Sequence, residues 1–141
     1  MDIIDKSLKI ALKAHKGKKD KAGKTYILHP IRLMTQMETE EEMAVALLHD
    51  AIEDSPITKE YLLNEGIPSK VVDAVQTLSK LEDENYDDFI NRIIKNNLAA
   101  KVKKADIEDN INVLRLNALS AKDLERIAKY HKAWLKLSKI K

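Results

Sequence analysis

Apolar residues in this chain recur three and four positions apart more often than they alternate, which is the spacing of amphipathic helices. Ile4, Leu8, Ala11 and Leu12 line one side of a first predicted helix. It ends at Gly17, a residue suited to the left-handed turn that stops a helix. The loop GKKDKAGKTY follows. Pro30, with its preset φ, marks the start of a second helix, and Thr39 with Glu42 three residues on makes a capping box for a third. This third helix is expected to carry the longest apolar run, MAVALL at 43–48, and to continue through ALLHDAIEDS at 46–55. Thr58 and Ser69 read as further N-caps. YDDFINRII has an amphipathic pattern, and Ser120 with Asp123 forms a similar box before a final helix through Leu137. Only three Gly and three Pro punctuate the chain, and no repeat or linker is visible. The pattern predicts an all-α, single domain over residues 1–141.

Composition narrows what such a domain can do. A chain of 141 residues can bury roughly 70% of the surface its unfolded form exposes, so it needs no staple. It has no cysteine, which excludes disulfides and thiolate metal sites; any metal must be held by His, Asp, Glu or backbone oxygen. The N-terminus is broken by charge every few residues, so neither a targeting signal nor a membrane span is expected, and the cytoplasm is the default compartment. Lys and Arg total 25 against 23 Asp and Glu, which gives no support to a large polyanionic partner such as nucleic acid. The C-terminal AKYHKAWLKLSKIK has a basic face, but Ile127, Trp134, Leu135 and Leu137 are better used to dock the last helix on the domain.

Candidate chemistry gathers behind the apolar run. On a helix, Glu53 lies four residues after His49 and Asp54 four after Asp50, so His49, Asp50, Glu53 and Asp54 share one broad face. Clustered carboxylates repel unless they are solvated, paired with cations or gathered round a metal. A solvated helix end would carry the same residues. His29 in YILHPIRL, and Asp106 with Asn110 in KVKKADIEDNIN, could supply further ligands. Alternatively, His29 could fill space at a helix start, and Asp106 and Asn110 could be ordinary helix residues beside a solvated face of Lys103, Lys104, Glu108 and Asp109. His15 also suits the negative end of the first helix and is left outside the ligand set.

Four ordered segments, AHKGKKDKAGKTYILHP, ALLHDAIEDS, AVQTLSK with YDDFINRI, and KVKKADIEDN, cover most of the chain from Ala14 to Arg115. In this order they resemble the HD-domain metal-dependent phosphohydrolases, and within them the RelA/SpoT-type (p)ppGpp hydrolase domain and its small stand-alone relatives. The resemblance implies a compact helical bundle with a metal site between helices. It implies His29, His49, Asp50 and Asp106 as metal ligands, Glu53 and Asp54 as the pair handling the attacking water, and Asn110 as a substrate contact. Such a mixed nitrogen and oxygen set suits Mn²⁺, with Fe²⁺ or Zn²⁺ as alternatives. The implied activity is that of guanosine-3′,5′-bis(diphosphate) 3′-pyrophosphohydrolase.

Substrate recognition departs from that pattern. Lys18, Lys19, Lys21 and Lys24 could gather the phosphates of a nucleotide, with Lys18 and Lys21 the assigned substrate contacts; a solvated turn would have the same composition. The alarmone hydrolases usually carry Gln at position 18 and a base-holding Arg at position 20, where this chain has Lys18 and Asp20. Ile107 and Asp109 replace the family's basic residue and its His or Tyr. No synthetase domain is expected, hence no pyrophosphate transfer from ATP. The competing expectations are an HD phosphohydrolase acting on another nucleotide or phosphometabolite, and a metal-bound nucleotide sensor without turnover. Retention of Glu53 and Asp54 disfavours the sensor.

Overall fold

The computed structural model describes residues 2–139 and puts the MAVALL run at the centre of an all-helical fold. Among these residues the helices are α1 (Ile3–Ala14), α2 (Leu28–Thr35), α3 (Glu40–Leu48), α4 (Ala51–Asp54), α5 (Lys59–Asn64), α6 (Ser69–Thr77), α7 (Tyr86–Ile94), α8 (Asn97–Asn110) and α9 (Ala121–Ser138). A 3-10 turn spans Val113–Arg115. A helix apolar on every side must be surrounded, and α3 has Ala44 through Leu48 fully buried. It packs against α1, α2, α6 and α8, while α7 and α9 cover α8. Burial of Val45, Leu47 and Leu48 contributes roughly 1.5–3 kcal/mol each, so the helix that leads into the HD segment is firmly anchored.

The capping signals are realised where they fix this arrangement. Thr39 Oγ1 accepts from Glu42 N–H at 3.1 Å, and Glu42 Oε1 accepts from Thr39 N–H at 3.0 Å. Ser120 and Asp123 make the same reciprocal pair at the start of α9. Thr58 caps α5. Gly17 adopts φ 78° just beyond α1, as its place after the first helix predicts. The following loop closes on itself through a bridge between Lys19 and Thr25.

Three expectations need correction. Helix α2 starts at Leu28 rather than Pro30; Pro30 sits at the third helical position, where a missing N–H still costs no intrahelical bond. His29 therefore rides on the first turn. The continuous third helix is interrupted. It ends at Leu48, and Asp50 bends the chain with φ −116° and ψ 11° before the short α4, tied back by Asp54 N–H to Asp50 O at 2.9 Å. The bend lets His49 and Asp50 leave the apolar surface of α3 together while staying buried. Finally, Pro68 rather than Ser69 is the residue at the N-cap of α6, with no side-chain cap. No described helix is long and apolar enough to cross a membrane.

Candidate metal centre

Three side chains converge where α2, α3 and α8 meet. His29 comes from the first turn of α2, His49 from the C-terminal cap of α3, and Asp106 from the buried face of α8. One ligand atom from each lies within 4.8 Å of the others. His29 Nε2 is 2.8 Å from Asp106 Oδ1, and His49 Nε2 is 3.4 Å from the same oxygen. Both rings are held by their other nitrogen. His49 Nδ1–H donates to Ala46 O at 2.8 Å, and His29 Nδ1–H donates to Asp109 Oδ2 at 2.6 Å. This directs each Nε2 toward the shared point, the orientation a metal-binding imidazole needs.

Asp50 stands beside this trio. Its Oδ2 is 3.7 Å from His49 Nε2 and accepts a hydrogen bond from Tyr26 OH. Its Oδ1 lies 3.0 Å from His15 Nε2, although neither atom has an aligned hydrogen-bond partner. Asp106 is braced on both sides: Asn110 Nδ2 donates to Oδ1 at 3.0 Å, and Lys103 Nζ donates to Oδ2 at 3.0 Å.

Electrostatics favours a cation here. Burial opposes charge on His49, but Asp50 and Asp106 outweigh it and push the imidazole up to about 9. His29 is also raised: bonds to Asp106 and Asp109 overcome its desolvation. Burial works to raise the carboxyls of Asp50 and Asp106, yet their cationic neighbours hold both well below the usual range, His49 for Asp50 and Lys103 with the two histidines for Asp106. Positive charge on the imidazoles is thus favoured beside the buried carboxylates, a role that a divalent cation would take over by displacing the Nε2 protons. With two imidazole nitrogens, one carboxylate oxygen and Asp50 alongside, the residues fit a borderline or hard divalent metal such as Mn²⁺.

Glu53 and Asp54 sit on the exposed rim. They help line a cavity of about 150 Å³ together with His49, Asp50, Lys103 and Asp106. Burial raises the Glu53 carboxyl, against a backbone N–H from Lys80; burial and the Asp50 charge raise Asp54. Tyr26, His29 and Asn110 border both this cavity and a second one of about 340 Å³. Lys21 lines the second cavity, as do Lys19, Arg32, Arg115 and Arg126. Lys18 borders neither; its ammonium donates to the Asp54 carbonyl. Asp20, which borders the larger cavity, is committed to its own loop, accepting from Ala22 N–H and Lys24 N–H at 2.9 Å.

Sequence reasoning missed several of these residues. Lys103 and Asp109 do not belong to a solvated face: Lys103 braces Asp106, and Asp109 joins His29 to a fork of Arg32 bonds at 2.8 and 2.9 Å. The signal was the charge pattern, with Arg32 three residues after His29 and Asp109 three after Asp106. Tyr26, three residues before His29, precedes the helix and is tied to it by a turn bond from His29 N–H to Tyr26 O at 2.9 Å. Arg126 carried no local signal, because only the docking of α9 brings it to the cavity, whereas Arg115 arrives on the 3-10 turn after α8, its Nη2 donating to Asp109 O at 2.6 Å.

No protein-family model matches the chain. Curated relatives do. A guanosine-3′,5′-bis(diphosphate) 3′-pyrophosphohydrolase of Vibrio cholerae is 30% identical over 144 residues, covering 92% of this chain and 20% of the relative. That of Haemophilus influenzae is 33% identical over 134 residues, covering 85% and 20%. By sequence the chain is a relative of the RelA/SpoT-type HD domain. It spans about a fifth of the length of these two relatives. The Escherichia coli bifunctional (p)ppGpp synthase/hydrolase SpoT is 30% identical over 120 residues, covering 74% of this chain and 17% of that protein. The fold also matches a solved metazoan SpoT orthologue, described as hydrolysing ppGpp, with a TM-score of 0.81 and 20% identity over 99% of this chain and 86% of the other. That similarity shows that the two chains share a helical fold.

Proposed function

We propose that this domain is a metal-dependent phosphohydrolase acting on a pyrophosphorylated nucleotide, with (p)ppGpp and release of its 3′-pyrophosphate as the leading substrate and reaction. The observation that carries the proposal is the convergence of His29, His49 and Asp106 within 4.8 Å at the end of the buried α3 helix. The curated relatives named as 3′-pyrophosphohydrolases support it. Asp50 completes the proposed ligand set once its carboxylate turns from Tyr26, and Mn²⁺ is the proposed metal, with Fe²⁺ or Zn²⁺ as alternatives. A single domain working in the cytoplasm is the proposed setting.

When bound, the cation would lower the pKa of a nearby water and offset negative charge at the phosphate. The chain's own residues divide the remaining work. Asp109, gripped by Arg32, keeps the His29 ring oriented and its Nε2 directed inward. Lys103 and Asn110 fix the plane of the Asp106 carboxylate from opposite sides. Glu53 and Asp54, with carboxyl pKa values raised, are the proposed groups that take a proton from the water attacking the 3′-phosphorus and return one to the ribose 3′ oxygen as its bond to phosphorus breaks. The cationic wall containing Lys21, Arg115 and Arg126 offers a place for the remaining phosphates, with Lys18 held in reserve near the rim on Asp54.

The alternative of another nucleotide or phosphometabolite draws on Asp20, because its carboxylate is spent on the loop backbone and supplies no cation for a base. The test is the purified protein with Mn²⁺ against a nucleotide panel, assaying phosphate and pyrophosphate. Pyrophosphate release from (p)ppGpp supports the proposal. Release only from a different phosphate compound selects the alternative, and metal binding without turnover selects the sensor.

A further inference from the structure

We infer that Arg92, on the far side of the α6–α7 connection from the metal centre, is a positioning residue that aims Glu53 through the peptide group joining Ser79 and Lys80. This rests on the role proposed above for Glu53.

Arg92 is the most fully bonded cation of that connection. Its Nε and Nη2 donate to Glu84 Oε2 and Oε1, both at 2.9 Å. Nη1 donates to Thr77 O and Nη2 to Ser79 O, both at 3.0 Å. The guanidinium carbon lies 5.5 Å from the centre of the Phe89 ring. Four of the five guanidinium N–H groups are therefore directed at one short segment, a demand that a lysine cannot meet. Glu84 shares the task by accepting from Leu81 N–H at 3.1 Å, and Lys80 Nζ donates to Glu84 O at 2.7 Å.

The consequence lies in the next bond. Lys80 N–H donates to Glu53 Oε1 at 3.3 Å, the one hydrogen bond that the Glu53 side chain makes among the described residues. The Ser79 carbonyl and the Lys80 N–H belong to the same planar peptide group and point in opposite directions. Holding the carbonyl with a cation therefore sets the direction of the N–H, and polarises it as a donor. Leu78, the residue before this pair, is buried and borders the cavity that holds Glu53 and Asp106. The clamp thus fixes both the apolar wall of the site and the donor that orients its rim carboxylate. Without it, Glu53 is an exposed side chain on a one-turn helix with no other bond among the described residues.

The test compares Arg92→Lys and Arg92→Gln with Glu53→Gln and the Arg92→Lys/Glu53→Gln double variant. In the metal-free protein, the Lys80 backbone amide resonance should shift in Glu53→Gln, which reports the contact, and also in Arg92→Lys. In the Mn²⁺-loaded protein, Arg92→Lys should lower kcat by about 5- to 100-fold, the range set by misplacing a reacting group by up to about 1 Å. Metal content and KM should stay within about twofold. The loss should vanish in the Glu53→Gln background, because a residue acting only through Glu53 has nothing left to position. A general structural role would instead give losses that multiply, and would overturn the inference. An unshifted Lys80 amide in Arg92→Lys would also overturn it, whether or not the protein turns over any nucleotide. If the wild type hydrolyses nothing in the panel, the hydrolase reading fails and the amide resonance alone decides the role of Arg92. If Arg92→Gln does not fold, Arg92→Lys carries both measurements.

Discussion

Replacing Asp109 with Asn should weaken Mn²⁺ binding although Asp109 lies outside the proposed ligand set. Its Oδ2 accepts from His29 Nδ1–H at 2.6 Å and from Arg32 Nη2 at 2.9 Å, and its Oδ1 accepts from Arg32 Nε at 2.8 Å. Three donors thus converge on two carboxylate oxygens. An asparagine amide keeps one oxygen and replaces the other with an NH₂, which faces donors wherever it is turned. Either the imidazole loses its acceptor and is free to rotate or change tautomer, or the Arg32 fork is broken. Carboxylates that orient a ligating histidine are typically worth 10–100-fold in metal affinity, which corresponds to about 1.4–2.7 kcal/mol. Arg32→Met, which leaves the His29 bond in place and removes its brace, should cost less. Calorimetric titration of metal-free protein with Mn²⁺ measures both. An Asp109→Asn affinity within twofold of wild type would refute the claim that this carboxylate organises His29.

Glu53→Gln should retain its metal and lose about 10²–10⁴-fold in kcat, the usual worth of a positioned acid or base; loss of metal together with activity would make Glu53 a ligand instead. The His49 pKa of about 9 gives two linked pH effects. Its raised value stabilises the metal-free fold below the ordinary histidine value of 6.5, and that contribution, on the order of 3 kcal/mol, is lost as pH rises through about 9. A metal-free melting temperature that rises across that window contradicts the assignment. Because Mn²⁺ must displace the same proton, apparent affinity should increase about tenfold per pH unit for each histidine still protonated; a flat titration between pH 6 and 8 would count against ligation by Nε2. At the rim, Asp20→Ala removes two loop bonds and should cost about 1–3 kcal/mol in a urea melt. Wild-type kinetics on paired guanine and adenine substrates should show weak base selectivity, and a strong guanine preference would mean that residues other than position 20 read the base.

Periodicity and capping made most of the fold legible in advance. Thr39 with Glu42 and Ser120 with Asp123 are local signals, complete within four residues, and they fix helix starts whatever surrounds them. The same locality explains the errors. Pro30 tolerates the third helical position as well as the first, so it could not distinguish a start at Leu28. The break after Leu48 follows from the need to bring His49 and Asp50 toward α8, a tertiary demand with no Gly or Pro to announce it. In the site, His29, His49 and Asp106 could be selected by their chemistry and motif order. The second layer was not visible in the same way. Asp109 and Lys103 look like solvated helix residues until α2 and α7 are packed against α8, and Arg126 is brought to its cavity by a helix that begins eleven residues after α8 ends.

Anomalous diffraction from crystals of this chain loaded with Mn²⁺ tests the central claim most directly. The account predicts one ion at the junction of α2, α3 and α8, coordinated by His29 Nε2, His49 Nε2 and Asp106, with Asp50 turned from Tyr26 to join them. Anomalous density elsewhere, or none at this junction in protein that binds Mn²⁺ stoichiometrically in solution, would contradict it.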